Sequence, residues 1–331
     1  MSRSSVIPSA AERWARRGLA LLCLLAAWGV GAEGPTEPSA PPEILLARMN
    51  QALRSLDYDG IVVYLHQNHL ETLSLDHRIR DGQIAERLIA LSGPIRAVAR
   101  GADRLNCVLP DGRPISVERT GGTGVLDTEG IDPESLRAYY QIEYLGVSRI
   151  AGRETEVVGI LPKDDLRYGY RFYIDRTTAL PLKSDLIDRQ QEPLEQLMFT
   201  TINIHPALQL PAIPPQPTPS IRRAPATATS SAWRFDPQPA GFTLVMERRI
   251  TQPEGTVAEH FLFTDRLSSY SVYIELASAD ALEGPASIGS VHAAGRRLGD
   301  YQIIAVGEVP QMTVEASVAA VHRIASQGDR P

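Results

Sequence analysis

Hydrophobic and polar positions alternate along this chain with two different periods. Ile44, Leu45, Met49, Ala52, Leu53 and Leu56 fall near helical spacing and predict one amphipathic helix. After it the period drops to two. The spans 58–65, 71–80, 83–91, 95–100 and 104–109 read as short strands, and Asp81-Gly82 reads as a hairpin turn between two of them. Asp132 and Pro133 have the form of a helix cap and first helical residue. Strands resume at 143–150, 154–161, 170–175, 182–188 and 194–202. A second, shorter series follows at 242–251, 257–265, 269–275, 287–293 and 301–309, closed by Pro310. Thr313 is then placed to cap a helix carrying Val314, Val318, Val321 and Ile324 on one face. The pattern predicts a mainly β, α+β chain. A long antiparallel meander would curve into an open barrel, and a smaller sheet would carry a helix at its end.

Between the two strand series, residues 205–231 read HPALQLPAIPPQPTPSIRRAPATATSS. Proline fixes φ and removes donors, so this stretch is expected to exclude helix and sheet and to act as a linker. It divides a large unit, 42–204, from a small one, 232–327. At the other end, Arg13, Arg16 and Arg17 precede an apolar run from Leu19 to Trp28, which closes on Val30-Gly31-Ala32. Residues 1–32 therefore read as a secretory signal peptide, too short in its apolar part to span a bilayer. Residues 33–41 read as a disordered leader.

Composition sharpens this picture. The formal net charge is −6, and loss of four arginines and one glutamate with the signal peptide makes it −9, which offers nucleic acid no electrostatic footprint. Cys107 would be the sole remaining cysteine, so no internal disulfide is expected. Its default role is a buried structural thiol.

Candidate chemistry is sparse. His66, His69 and His77, with Glu71 and Asp76, form a tempting cluster. Zinc needs ligands that converge on one point, and on a strand His66 and His69 would face opposite ways, so surface histidines at a hairpin tip are expected instead. Residues 121–124, Gly-Gly-Thr-Gly, lack the Lys-Ser/Thr of a phosphate loop. No Gly-x-Ser-x-Gly elbow occurs. No cofactor, metal site or enzyme activity is expected. More informative is Arg167-Tyr168-Gly169-Tyr170-Arg171-Phe172-Tyr173-Ile174-Asp175, where Tyr168, Tyr170, Phe172 and Ile174 share one face of a strand. That face reads either as sheet core or as the wall of a ligand cavity.

Three sets of residues stand out together. The first is Tyr58-Asp59-Gly60-Ile61-Val62-Val63-Tyr64 with Glu71-Thr72-Leu73 and the run from Glu86 to Pro94. The second is Arg149 to Arg153, Pro162 to Tyr170, Asp175, Leu180 to Ser184 and Leu194 to Gln196. The third is Gly299 to Pro310. They cover both units in order, and jointly they resemble the RseB/MucB family, periplasmic regulators of the envelope-stress sigma factor. Gln191 departs from the glycine the family carries before Glu192, and Ala97 stands where an acidic residue is common. The resemblance implies a large half-open β-barrel domain similar to lipoprotein carriers and a smaller β-sheet domain with a C-terminal helix. It implies a non-enzymatic negative regulator in the periplasm. Such a protein binds the periplasmic domain of a single-span anti-sigma factor, shields it from regulated proteolysis, and responds to lipid-bearing stress signals such as lipopolysaccharide or lipoprotein. It implies self-association as a homodimer or higher homo-oligomer. On this footing Tyr168, Tyr170 and Phe172 are candidates for the ligand cavity. Arg296 and Arg297, adjacent cations before Gly299, are candidates for partner binding. A periplasmic lipoprotein or lipid carrier is the alternative function, favoured by the large unit alone; an unrecognised hydrolase is a third.

Overall fold

A computed structural model describes residues 37–80, 83–92, 97–100, 104–108, 114–118, 133–205, 220–221, 232–251, 256–279 and 281–324. The readings of residues 1–32 as a signal peptide, of Asp81-Gly82, of 121–124 and of Asp132 lie outside them, as does the side chain of Cys107. The described residues from 38 onward fall in one compact unit, within which two lobes can be followed.

The first lobe begins with helix α1 (Pro42–Ser55). Pro42 opens it at a position where the missing donor is harmless, Glu43 lies in its first turn and Arg54 in its last, each suited to the helix dipole. Then come β1 (Asp57–His66), β2 (His69–Arg80), β3 (Gln83–Ala90), β4 (Ala97–Arg100), β5 (Arg104–Val108) and β6 (Pro114–Glu118). A four-residue helix, α2 (Pro133–Leu136), precedes β7 (Tyr140–Ile150), β8 (Arg153–Pro162), β9 (Gly169–Asp175), β10 (Pro181–Ile187) and β11 (Pro193–His205). With β12 (Ser220–Ile221) these make one twelve-stranded sheet in the order β12-β6-β5-β4-β3-β2-β1-β11-β10-β9-β8-β7. Its pairs are antiparallel except β12 with β6. The sheet does not close, but it curls far enough to bring β7 towards β11. This is the half-open barrel expected. The linker reading needs correction at two points: β11 runs on to His205, and Ser220–Ile221 pairs with Ser116 and Val117.

Helix α1 fills the concave side. Leu45, Leu46, Met49, Ala52 and Leu53 pack with Tyr58, Val62, Leu75, Val158, Ile160, Phe172, Ile174 and Phe199 in one buried cluster. The period-two face of β9 is thus largely core: Phe172 is 3% exposed and Ile174 2%. His77 is also inside, 1% exposed, where the sequence suggested a surface histidine. Its ring stacks on Tyr58 at 4.4 Å, Nε2 lies 3.0 Å from the Leu53 carbonyl at the end of α1, and Nδ1 lies 2.8 Å from Glu86 Oε1. The burial of Tyr58 itself holds its phenol well above the usual range.

The second lobe has β13 (Trp233–Phe235), β14 (Thr243–Thr251), β15 (Val257–Thr264), β16 (Ser269–Leu276), β17 (Gly284–Ile288), β18 (Val291–Leu298), β19 (Tyr301–Gly307), helix α3 (Gln311–Ala319) and β20 (Val321–Arg323). Six strands run β14-β15-β16-β19-β18-β17, and β13 pairs with β20. The helix lies on the sheet, with Val314 and Val318 joining Phe261, Phe263, Val272, Ile303 and Ala305 in a second core. Three readings are corrected. The single strand at 287–293 is a hairpin, β17 and β18, turning at Gly289-Ser290. Thr313 is no cap: α3 starts after Pro310, whose own φ of −54° sets the entry, and Thr313 Oγ1 donates instead to the Leu166 carbonyl of the first lobe at 2.6 Å. Val321 and Ile324 lie beyond the helix, Val321 on β20.

The turn between β10 and β11 explains one departure from the family pattern. Gln191 has φ +65°, in the left-handed region where a Cβ is strained. Asp188 holds this turn through its Oδ1, which accepts from the Glu192 amide at 2.9 Å. Gln191→Gly should raise stability by about 0.5–1 kcal/mol, because relief of strain exceeds the added chain entropy. Urea unfolding would show this as a higher midpoint; an unchanged or lower midpoint would count against it.

Candidate functional site at the seam between the lobes

The lobes meet along a seam built from the segment before β9. Arg167 is 1% exposed and sits at its centre. Its Nη1 donates to Asp265 Oδ2 of the second lobe at 2.6 Å, Nε to Asp164 Oδ1 at 2.9 Å, and Nη2 to the Ala240 carbonyl at 2.5 Å. The guanidinium lies 4.5 Å from the Tyr139 ring centre and 4.9 Å from that of Phe242. Burial works against its charge, but Asp164 and Asp265 outweigh that and raise its pKa. Tyr140 OH also donates to Asp265 Oδ2, at 2.8 Å, while the amides of Leu267 and Ser268 satisfy Oδ1. Every contact of this carboxylate is therefore occupied, which a buried charge requires.

Residues of both lobes also line a cavity of about 350 Å³. Tyr64, Leu73, Tyr170, Leu186, Leu197 and Glu195 of the first lobe line it, and Glu308 of the second lobe closes one side. Tyr170 stacks on Phe172 with ring centres 5.7 Å apart, and its hydroxyl donates to Glu308 Oε2 at 3.2 Å. Of the three cavity candidates, only Tyr170 lines this space. Phe172 stands behind it in the core, and Tyr168 points across the seam, its hydroxyl 3.4 Å from His292 Nδ1. Burial, aided by the charge of Glu308, pushes the Tyr168 phenol up to about 12. The volume suits an acyl chain or a small apolar group, and the tyrosine hydroxyls and carboxylates give it a polar rim. Glu195 and Glu308 were not singled out from the sequence. They are single acidic residues, one on β11 and one just past the end of β19, and only the packing of the lobes brings them together.

The candidate arginines do not form one patch. Arg296 and Arg297 are neighbours on β18 and so face opposite sides of the sheet. Arg296 turns towards α3, where Nε donates to the Val318 carbonyl at 2.6 Å and Nη2 to that of Val321 at 2.5 Å. It caps the end of the helix. Arg297 is half exposed and donates to the Ser278 carbonyl at 2.8 Å. Arg296→Ala should therefore cost about 1.5–3 kcal/mol through lost charged hydrogen bonds, and Arg297→Ala within about 0.5 kcal/mol. Chemical denaturation of the two variants side by side checks this; equal losses would refute the division of roles.

The hairpin tip behaves differently from the sequence reading. Gln67 and Asn68 both have positive φ, the mark of a two-residue I′ turn, so His66 pairs directly with His69 and their rings lie 6.0 Å apart on one face. His77 is remote in the core. Among the described residues no group of three or more His, Cys, Asp or Glu is placed to hold a metal, and no helix is long and apolar enough to cross a membrane.

Comparison with known proteins covers both lobes. The MucB/RseB N-terminal domain matches residues 41–219, and the MucB/RseB C-terminal domain matches residues 227–322. The sigma factor AlgU regulatory protein MucB of Pseudomonas aeruginosa is 30% identical over 293 residues, covering 85% of this chain and 90% of that protein. The sigma-E factor regulatory protein RseB of Escherichia coli K12 is 27% identical over 286 residues, covering 82% and 87%. Among solved structures, the Pseudomonas aeruginosa MucA/MucB complex aligns with a TM-score of 0.67 at 29% identity, over 87% of this chain and all of that one. MucB in complex with MucA(peri) aligns with a TM-score of 0.66 at 27% identity, over 86% and 100%. With two consecutive family domains matched over nearly all the described residues, this chain belongs to the MucB/RseB family.

Proposed function

We propose that this protein is an exported, periplasmic negative regulator of an envelope-stress sigma factor. It binds the periplasmic domain of a single-span anti-sigma factor and shields it from regulated proteolysis. The observation that carries this reading is the match of both family domains in order, together with the alignment to MucB bound to MucA(peri). In this reading residues 1–32 are removed on export, 42–204 form the sensor domain and 232–327 the anti-sigma-binding domain, and 205–231 join them while lending His205 and Ser220–Ile221 to the large sheet. The cavity beneath Tyr170 is the place for an acyl chain of a lipid-bearing signal, lipopolysaccharide or lipoprotein, whose arrival releases the partner. Arg297 is the better of the two arginine candidates for docking, since Arg296 is engaged with α3. Self-association into a homodimer or larger homo-oligomer completes the proposal.

The test uses the chain from Glu33 onward and the periplasmic segment of the anti-sigma factor from the same organism. Calorimetry should give a Kd of about 1 μM or tighter, close to −8 kcal/mol, and the bound segment should resist cleavage by the cognate protease. Added lipopolysaccharide should weaken binding, and Tyr170→Ala should blunt that effect. Absence of binding at high micromolar concentration would remove the regulator reading. The second reading, a lipoprotein or lipid carrier, finds its support in the same cavity. It predicts lipid bound and delivered to an acceptor membrane with no anti-sigma segment retained.

A further inference from the structure

The rim of the cavity holds a contact whose hydrogens do not add up when every acid is ionised. Ser290, 3% exposed at the turn between β17 and β18, places its hydroxyl against Glu195 Oε1 and also 3.2 Å from Glu308 Oε1. Tyr64 donates to Glu195 Oε2, and Tyr170 donates to Glu308 Oε2. Four oxygen–oxygen contacts are made, and three hydroxyls supply three hydrogens. With both carboxylates charged, Ser290 can donate to only one of them. Its other contact then sets lone pairs against lone pairs. A fourth hydrogen, on Glu308 Oε1, completes the set: Glu308 donates to Ser290, and Ser290 donates to Glu195.

We propose that Glu195, Ser290 and Glu308 form a proton-operated latch between the lobes, which holds the seam shut over the cavity when one proton is taken up and loosens it when that proton leaves. The two acids come from opposite sides of the seam, Glu195 from β11 and Glu308 from the end of β19. Among the described residues neither carboxylate has a Lys or Arg partner. The other titratable groups around the site are Tyr64 on β1, Glu71 on β2, Tyr168 and Tyr170 at β9, Asp188 after β10, and His292 on β18. None is a fixed cation, and His292 Nδ1 faces the Val309 and Ser290 carbonyls at 3.0 and 3.2 Å.

Burial raises the Glu308 pKa, the charge of Glu195 raises it further, and Ser290 and Tyr170 offset part of this. Parting the lobes returns Glu308 to an ordinary carboxylate. The sign follows: a raised value in the closed form means that protonation favours closure. The latch is complete below the ordinary carboxylate range and is lost as pH rises through the elevated value of Glu308.

The experiment needs no partner protein, so its outcome is independent of the regulatory reading. Donor and acceptor dyes are placed on Arg149→Cys of the first lobe and Glu315→Cys of the second, in a chain carrying Cys107→Ser. Energy transfer is followed from pH 4.5 to 8 at the urea concentration that leaves half the molecules closed at pH 5. In the otherwise unsubstituted chain the closed-to-open ratio should fall by up to about tenfold per pH unit between the two Glu308 values, beyond any slope shown by Glu308→Gln. That variant keeps a hydrogen-bonding group without a proton to lose. Glu195→Gln, which removes the opposing charge from the other lobe but leaves Glu308 buried, should make the slope shallower without abolishing it, and serves if Glu308→Gln does not fold. A profile parallel to that of either folded variant would overturn the latch.

Discussion

Arg167→Ala should lower the unfolding free energy by about 3–5 kcal/mol, the usual effect of removing one partner of a buried ion pair. The loss would come less from the attraction removed than from the carboxylate left behind. Asp265 is 7% exposed with its side chain fully enclosed, and without Arg167 it retains one phenol and two amides but no counter-charge. The rings of Tyr139 and Phe242 would also lose the guanidinium packed between them. Since the pair spans the seam, the variant should respond as two lobes, with the β14–β19 core and the α1-filled barrel melting at separate urea midpoints. Near- and far-ultraviolet dichroism followed together would reveal the split. Arg167→Met with Asp265→Leu should recover much of the stability, because it removes both desolvation penalties while keeping volume. A single-variant loss under about 1 kcal/mol would mean that water reaches Asp265 when the arginine leaves.

His77→Ala is expected to be nearly as damaging, at about 3–5 kcal/mol, the usual loss for a buried ring cut back to Ala. The ring fills the space under Tyr58 and ties the last turn of α1 to the sheet through the Leu53 carbonyl. Glu86, 2% exposed, faces the same ring from β3. Deletion of the ring therefore removes its stacking on Tyr58 together with its contacts to the Leu53 carbonyl and to Glu86. Hydrogen exchange should show α1 losing protection before the strands do. His77→Gln, which keeps a hydrogen-bonding group but not the ring, should recover only part of the loss. If His77→Gln is as stable as the unsubstituted chain, the stacked ring is not what holds this part of the core.

The strands were legible because period two survives wherever one face is buried. The face of β9 is an example: Phe172 and Ile174 were visible as an apolar row, though not as core rather than cavity wall, since both roles select the same residues. The family runs placed both lobes in order, which periodicity alone could not do. What was illegible depended on packing at a distance. Thr313 has the chemistry of a cap, yet its hydroxyl meets a carbonyl 147 residues away. Arg296 and Arg297 look alike in sequence, and only the pleat separates a helix cap from an exposed cation. His77 carries no local sign of burial, because its partners lie on α1 and β3. The Gly289-Ser290 turn, by contrast, had a two-residue hairpin signal in plain view between Ile288 and Val291, obscured by taking 287–293 as one run.

The middle of the large sheet joins its first strand, β1, to its eleventh, β11. Asp57 pairs with His205 and Tyr58 with Ile204, so β1 and β11 meet only after about 150 intervening residues have been put in place. On either side the pairings are between sequence neighbours, β1 to β6 in one meander and β7 to β11 in another. Each meander can form early through short loop closures, but each then carries a bare central edge until the other arrives. The joining of these edges is the long-range, high-contact-order step, and it makes the final dozen residues before the proline-rich stretch indispensable to everything upstream. A nascent chain emerging from its amino end would hold β1 unpaired on that side until nearly two thirds of its length had appeared, and a chain cut short before β11 would leave both edges open to other strands.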